Sequence, residues 1–210
     1  MTVVHSEGWN YERPCLWADV DRLENSGYTH IHFAFAKLTA SFTVDVSSMQ
    51  SQFDSFKTLR GVKRVVSFGG WDDSTMPDRY WIFREVVKPE NRDGVIRNLV
   101  NFVTSNALDG LDIDWEYPAA PDLPDIPRAD PKEGLAYLEF LRILRSRLPN
   151  SVSLSIASPA GFWYLQGLPI VDISKVVDYI VYMTCMSLLS PSQSPSAHAS
   201  NKPPQKAIAS

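Results

Sequence analysis

Four carboxylates fall within eight residues of an otherwise apolar stretch, at Asp109, Asp112, Asp114 and Glu116. In an extended strand successive side chains alternate between faces, so Asp112, Asp114 and Glu116 are predicted to point the same way, roughly 6.5–7 Å apart. Burial of neighbouring carboxylates raises their pKa, because like charges in a low dielectric disfavour ionisation. The stretch therefore predicts a general acid that operates near neutral pH.

Two other interpretations of the acidic stretch are a calcium-binding loop and a solvated acidic turn. A calcium loop also places oxygen ligands at every second position, but it has a glycine at its sixth position and polar residues between the ligands. Here the intervening residues include Ile113 and Trp115, which are apolar. We therefore favour a catalytic strand end.

The acidic stretch, together with Tyr117, resembles the Asp-x-x-Asp-x-Asp-x-Glu motif of family 18 glycoside hydrolases, the chitinases and their relatives. Residues 67–71 before it and residues 179–184 after it are similar to two further motifs of the same family, in the same order. The resemblance extends over about residues 3–184. It implies a (β/α)8 barrel with its active site at the carboxyl ends of the strands.

The resemblance also implies roles for individual residues. Glu116 would protonate the glycosidic oxygen and later assist water, while the substrate's own N-acetyl oxygen attacks the anomeric carbon with overall retention. Asp114 would orient and stabilise the acetamido group, Asp112 would share a proton with Asp114, and Asp109 would anchor the strand from below. The remaining expected site residues are Trp71, Tyr117, Phe35 and Met183 for substrate binding and Ser67, Gly69 and Gly70 as structural residues. No metal and no organic cofactor is expected.

Two of these positions, and His5 in addition, have alternative interpretations. Phe35 would line the floor of the sugar site or serve as a core phenylalanine. Trp71 would offer an exposed platform for a sugar ring at the end of a strand, or pack into the core. His5 stands where relatives carry an aromatic residue, and it is either a substitute ligand or an ordinary surface or core histidine.

Hydrophobic periodicity predicts strands that alternate with helices. The strands are predicted over residues 2–9, 28–36, 62–68, the acidic stretch, 152–158 and 176–184, and the helices over residues 19–26, 49–59, 80–87, 91–105, 132–147 and, broken, 162–174. This alternation predicts a parallel sheet, and six strands predict an incomplete barrel with about six of its eight β/α units. Residues 118–131 contain five prolines and are predicted to be a stiff, extended part of the cleft wall.

Composition excludes several classes of partner. The 20 basic and 24 acidic residues form no basic excess that would favour nucleic acid, so an uncharged or neutral partner is expected. The family resemblance implies that this partner is chitin or N-acetylglucosamine oligomers. No apolar run approaches the ~18 residues of a membrane span, and residues 1–10 lack the features of a signal peptide. Cys15 and Cys185 do not decide the redox compartment. The family implies an extracellular or cell-wall location, and we expect a monomer.

The family pattern ends at Thr184. Relatives continue with Tyr-Asp, which helps to hold the N-acetyl group, whereas this chain has Cys185-Met186 and then a stretch rich in serine, proline and alanine. We therefore predict a partial catalytic barrel over residues 1–184 and a disordered, non-native tail over residues 185–210. If Cys185 is encoded TGT, its codon and the next two can contain a fungal intron donor, which favours a translated intron over a genuine alternative terminus.

The predicted function is therefore that of a chitinase, although the 210 residues fall short of the about 250 of a complete barrel. We expect little activity from this chain by itself. Two alternatives are a non-catalytic, lectin-like chitin-binding protein, against which the presence of Glu116 counts, and an inactive truncated product whose open sheet edges lower its solubility.

Overall fold

A sheet of parallel strands forms the centre of the protein, in a computed structural model that describes residues 1–8 and 19–184. The strands are β1 (Val3–Glu7), β2 (His30–Leu38), β3 (Val44–Asp45), β4 (Lys63–Gly69), β5 (Gly110–Asp114), β6 (Ser153–Pro159) and β7 (Tyr179–Met183). The parallel strands pair in the order β1-β2-β4-β5-β6-β7, while the short β3 pairs antiparallel with β2 off this path. This is the succession of strands predicted for an incomplete barrel.

Helices connect the strands of the sheet. They are α1 (Gln50–Thr58), α2 (Gly70–Thr75), α3 (Trp81–Val86), α4 (Pro89–Ser105), α5 (Glu133–Arg147), α6 (Phe162–Leu165) and α7 (Ile170–Ile173). The longest, α4, begins with Pro89, whose missing N–H costs nothing in a first helical turn. It buries Val95, Ile96, Leu99 and Val103, a spacing that places one apolar stripe against the sheet.

The hydrophobic core lies between the sheet and these helices. Leu111, Ile113 and Trp115, which alternate with the acidic residues, all belong to it. Trp115 stacks on Phe83 with ring centroids 5.8 Å apart, and Tyr137 of α5 meets its edge at 5.4 Å. Because the apolar side chains of β5 point outward into this core, its carboxylates are directed to the interior of the half-barrel.

Some local predictions were wrong. The helix predicted over residues 19–26 is only a 3-10 turn at Val20–Leu23, and Trp71, expected at the end of a strand, lies in helix α2, which was not predicted. Asp72 and Asp73 in the first turn of α2 favour a helix there, because acidic side chains complement the positive end of the helix dipole. Strand β5 ends at Asp114, so Glu116 lies beyond the strand instead of within it.

The proline-rich segment of residues 118–131 was predicted to be extended, but it folds back on itself. The Ala129 N–H donates to the Ala120 carbonyl at 3.3 Å, which closes the loop. Glu133, at the start of α5, accepts from the backbone N–H of Ala119 at 3.0 Å and of Asp130 at 3.4 Å. One buried carboxylate therefore holds both ends of the loop.

Several predictions concern residues outside the described ranges. Cys15, the end of the first predicted strand at Trp9, and the whole segment from Cys185 to Ser210 fall there. The predicted tail and the intron hypothesis therefore stay predictions. Within the described ranges, the helices are too short or too polar to cross a membrane.

Candidate active site

Asp112 lies at the centre of a row of paired residues in the sheet. Ser67 of β4 and Ser155 of β6 are its register partners on either side. The Ser67 hydroxyl donates to Oδ2 of Asp112 at 2.9 Å, and the Ser155 hydroxyl donates to Oδ1 at 2.6 Å. Both oxygens of this fully buried carboxylate are therefore satisfied, which favours its ionised form.

Three further side chains extend this row to the edges of the sheet. His5 Nε2 lies 3.1 Å from His32 Nδ1, which is 3.2 Å from the Ser67 hydroxyl and 3.6 Å from Oδ2 of Asp112. On the other side of its ring, His32 Nε2 lies 2.9 Å from the Tyr179 hydroxyl. Each parallel strand thus contributes one side chain to a connected group that we name the polar layer: His5, His32, Ser67, Asp112, Ser155 and Tyr179.

The polar layer sets the charge of Asp112. Burial by itself would raise the pKa of Asp112, but hydrogen bonding and charge interaction with His32 oppose it. Together with contributions from His5 and Ser155, they lower the pKa of Asp112 below its usual value. Asp112 is therefore a fixed negative charge at the base of the candidate site.

Asp114, the next interior residue of β5, has the opposite electrostatics. Burial, and after it the negative charges of Glu116 and Asp112, raise the pKa of Asp114 well above its usual value. Its side chain is 3% exposed, and its Oδ1 is buried without a hydrogen-bond partner among the described residues. The described residues include no hydrogen bond between Asp114 and Asp112, and the expected sharing of a proton between them stays a prediction.

Glu116 is held just past the end of β5 by groups on either side. Its backbone N–H donates to the hydroxyl of Ser74 in α2 at 2.9 Å, and the Tyr117 hydroxyl donates to its Oε2 at 3.0 Å. Burial raises the pKa of Glu116 to about 7, against the opposing hydrogen bond from Tyr117 and with the help of the charge on Asp72. A carboxyl group that titrates near neutrality can both donate and accept a proton in one reaction cycle.

An aromatic cluster covers one side of Glu116 and contains three of the four predicted substrate-binding residues. Tyr117, buried, packs with the partly buried Trp71, Met183 and Tyr164. The Tyr164 ring stacks on the Tyr117 ring with centroids 4.6 Å apart at an angle of 20°. Trp71 was expected either to be an exposed platform at the end of a strand or to pack into the core, and it is half-buried in α2, where it packs against this cluster.

Phe35 is partly exposed on β2. A Cβ atom on Gly70 would come within 2.6 Å of its Cε2, so the glycine is needed for Phe35 to pack there. The same ring lies 6.3 Å from that of His5, centroid to centroid. Phe35 therefore does not join the cluster around Tyr117, and it flanks the polar layer instead.

The residues assigned to structural roles make contacts that suit such roles. At Gly69, with φ +115°, a Cβ would lie 2.1 Å from the Asp114 carbonyl oxygen. Asp109, at the opposite end of β5, accepts from Arg64 Nε and from the Arg64 backbone N–H, both at 3.0 Å, and lies 3.6 Å from Lys63 Nζ. Asp109 thus joins the beginnings of β4 and β5, far from the carboxylates of the site.

The sequence analysis did not single out His32, Ser74, Ser155, Tyr164 or Tyr179 for the site. A weak signal existed for two of them: His32 interrupts an apolar strand at a position that alternation turns inward, and so does Ser155. No pattern marks Ser74, because its hydroxyl reaches Glu116 only through the unpredicted helix α2.

The fold and these carboxylates define a β/α-barrel glycoside hydrolase. The chain belongs to the glycosyl hydrolases family 18, whose model matches residues 1–201. A secreted chitinase of Penicillium expansum, LysM12, is 48% identical over 185 residues, and the killer toxin subunits alpha/beta of Kluyveromyces lactis are 44% identical over 177 residues. The family resemblance and the class of enzyme inferred from the sequence are thereby confirmed.

The chain matches a part of each of these proteins. It aligns over 87% of its own length but 12% of the Penicillium protein, and over 84% of its own length but 15% of the killer toxin. Among solved structures, a Group IV chitinase of Ostrinia furnacalis is 26% identical with a TM-score of 0.75, over 88% of this chain and 51% of that one. The predicted incomplete barrel is confirmed.

Proposed function

We propose that this domain hydrolyses the β-1,4 linkages of chitin and N-acetylglucosamine oligomers with retention, and that the substrate's acetamido group takes part in the reaction. The chitinase relatives support the substrate class. One observation carries the mechanism: Glu116, with its pKa raised to about 7, neighbours Asp114, whose buried Oδ1 has no partner among the described residues. The first group can donate a proton, and the second can accept a hydrogen bond from substrate.

In the first step, protonated Glu116 donates its proton to the glycosidic oxygen, and the bond to the leaving sugar breaks. The acetamido oxygen of the substrate attacks the anomeric carbon from the other face, which gives an oxazolinium ion. Asp114 Oδ1 accepts a hydrogen bond from the acetamido N–H and stabilises the positive charge. Asp112 remains ionised below it, so the net negative charge of the site favours a cationic intermediate.

In the second step, ionised Glu116 takes a proton from water as the water attacks the anomeric carbon. The oxazolinium ring opens, the acetamido group is restored, and Glu116 is protonated again for the next cycle. The two attacks invert the anomeric carbon twice, so the configuration is retained. The Tyr117 hydroxyl, which donates to Glu116 Oε2, stabilises the ionised form that this step requires.

The remaining expectations belong to the same proposal. The partner is chitin or its oligosaccharides, not nucleic acid or a membrane, and the protein acts as a monomer outside the cell or at the cell wall. The catalytic unit corresponds to residues 1–184, with residues 185–210 as a tail. Trp71, Tyr117, Phe35 and Met183 contact the sugar.

The decisive experiment replaces the acid in a protein that carries a complete family 18 domain built on this chain. Glu116→Gln keeps the shape of the side chain but cannot donate a proton, so turnover of a fluorogenic chitobioside should fall by at least about 100-fold. Binding of chitin oligosaccharides should persist. Glu139→Gln, on the exposed face of α5, is the matched control and should leave both unchanged. Equal loss of binding and turnover in Glu116→Gln would assign Glu116 a structural role, and binding without turnover in the unaltered protein would support the lectin-like alternative.

A further inference from the structure

We propose that His5, His32 and Asp112 form a binding site for a zinc-like divalent metal ion, and that its occupancy inhibits the hydrolase. His5 Nε2, His32 Nδ1 and a carboxylate oxygen of Asp112 all lie within 4.8 Å of one another. The donor set of two imidazoles and one carboxylate is typical of Zn²⁺ and unlike the all-oxygen sets of Ca²⁺ and Mg²⁺.

Two of the three donor pairs are separated by distances that suit a four-coordinate ion. His5 Nε2 and His32 Nδ1 are 3.1 Å apart, and His32 Nδ1 and Asp112 Oδ2 are 3.6 Å apart. Donor atoms of a tetrahedral zinc site are about 3.3–3.4 Å from one another, given bonds of about 2.0–2.1 Å. The Ser67 hydroxyl, 3.2 Å from His32 Nδ1 and 2.9 Å from Asp112 Oδ2, borders the same space, where a water can complete the coordination.

Two of the three ligands are already oriented by outer partners. Ligating histidines in proteins commonly hydrogen-bond through their second ring nitrogen, and ligating carboxylates through their second oxygen. The Tyr179 hydroxyl lies 2.9 Å from His32 Nε2, and the Ser155 hydroxyl donates to Asp112 Oδ1 at 2.6 Å. These bonds leave His32 Nδ1 and Asp112 Oδ2 as the atoms that face His5. When the ion binds, His32 carries its proton on Nε2 and donates it to Tyr179.

Access to the site is provided by His5. His32 and Asp112 are fully buried, whereas His5 is only half-buried on β1. His5 can therefore adjust its ring to close the coordination shell, while the other two ligands stay fixed. The site thus combines two fixed ligands, His32 and Asp112, with one movable ligand, His5. An ion can therefore enter from the side of β1.

The positive charge of the bound ion explains why it would inhibit hydrolysis. This part of the proposal rests on the proposed function. Asp114 is two residues from Asp112 on the same interior face of β5, and it is the group that stabilises the oxazolinium ion. A divalent cation on Asp112 places positive charge beside the point where positive charge must develop. It therefore opposes the transition state, in contrast to a catalytic metal that stabilises negative charge.

The test of binding uses the tag-free 210-residue chain with Cys15→Ser and Cys185→Ser, so that thiolates do not contribute. Titration with Co²⁺ should produce the visible absorption of a tetrahedral site, and Zn²⁺ should displace it with a rise in melting temperature. In His5→Phe the affinity should fall by more than about 100-fold, since loss of an outer partner alone costs about 10–100-fold. His30→Gln, a histidine of β2 outside the metal-ligand group, should bind like the unaltered chain.

Tyr179→Phe provides a second variant that keeps all three ligands and should weaken binding by about 10–100-fold. Circular dichroism establishes that each variant is folded. Absence of a tetrahedral Co²⁺ spectrum from the parent chain, or an unchanged spectrum in folded His5→Phe, would overturn the proposed site. Unchanged chitobioside turnover, with bound Zn²⁺, by the protein that carries the complete domain would overturn the inhibition alone. Metal binding by a protein without any turnover would contradict the proposed function alone.

Discussion

The Tyr179 hydroxyl and His32 Nε2 lie 2.9 Å apart across the interior of the half-barrel, although 147 positions separate the two residues in sequence. One belongs to β7 and the other to β2. Their contact links distant strands of the described sheet through side chains instead of backbone pairing. The contact orients His32, which in turn lowers the pKa of Asp112, so the far strand influences the charge of Asp112. The charge of Asp112 thus depends on the contact between Tyr179 and His32, which completes the polar layer.

The free energy of unfolding should depend on pH through the titration of the buried acid, Glu116. The pKa of Glu116 is raised from 4.5 to about 7, so the folded protein binds this proton more tightly than the unfolded chain does. The resulting stabilisation is fully present below the unfolded pKa and is lost as pH rises through about 7, and Asp114 acts in the same direction. For Glu116 alone the loss is on the order of 3 kcal/mol.

Urea unfolding between about pH 5 and about pH 8 measures this loss. Glu116→Gln removes the titrating group, so its unfolding free energy should vary less over that interval than that of the unaltered protein. An equal pH slope in the two proteins would assign the effect to other groups.

Gly69 should be irreplaceable. A Cβ at this position would lie 2.1 Å from the backbone oxygen of Asp114, and the φ of +115° disfavours any L side chain. Gly69→Ala should therefore lower the melting temperature steeply and reduce the yield of soluble protein. Gly94→Ala in α4 is the matched control: nothing lies within 4 Å of its Cβ, so it should stabilise the protein by about 0.5–1 kcal/mol. A folded Gly69→Ala protein of unchanged stability would contradict the close approach of β4 and β5.

Trp71 should contribute to both binding and stability. Trp71→Ala removes a half-buried ring from the cluster around Tyr117, so oligosaccharide affinity should fall by about 1–2 kcal/mol through lost stacking, together with the melting temperature. Trp81→Ala in α3 is the control, because Trp81 packs on the outer core and should affect the melting temperature alone. Calorimetric titration of both variants with chitin oligomers separates the effect on affinity from the effect on stability. Unchanged affinity in Trp71→Ala would show that this tryptophan has a purely structural role.

The 210-residue chain by itself should turn over chitobioside far more slowly than a protein that spans the complete domain. The chain corresponds to 51% of the solved Group IV chitinase. Substrate-assisted catalysis depends on a precisely held acetamido group, and well-oriented intramolecular reaction is worth roughly 7–11 kcal/mol. Activity assays on the two proteins side by side provide the measurement. Comparable turnover would establish that the strands described here suffice.

The sequence predicted the strands well because side chains in a strand alternate between two faces with a period of two residues. In β5 the apolar residues between the carboxylates entered the core as expected, and this alone directed Asp112 and Asp114 inward. The prediction failed where a long-range contact decides the structure. The sequence analysis assigned Gly70 only a structural role, yet Gly70 begins a helix whose Ser74 hydroxyl holds Glu116. The polar layer could not be predicted either, because its members come from separate strands and meet only after the sheet forms.

The closed loop of residues 118–131 has a consequence for how this domain can diversify. Glu133 of α5 fixes Ala119 and Asp130, so the geometry next to Glu116 is determined by the helix and not by the length of the loop. Segments inserted between these two fixed points leave the acid in place, because lengthening a surface loop adds little closure entropy. The loop is therefore a position where evolution, or a protein engineer, can graft new recognition elements onto an unaltered catalytic carboxylate.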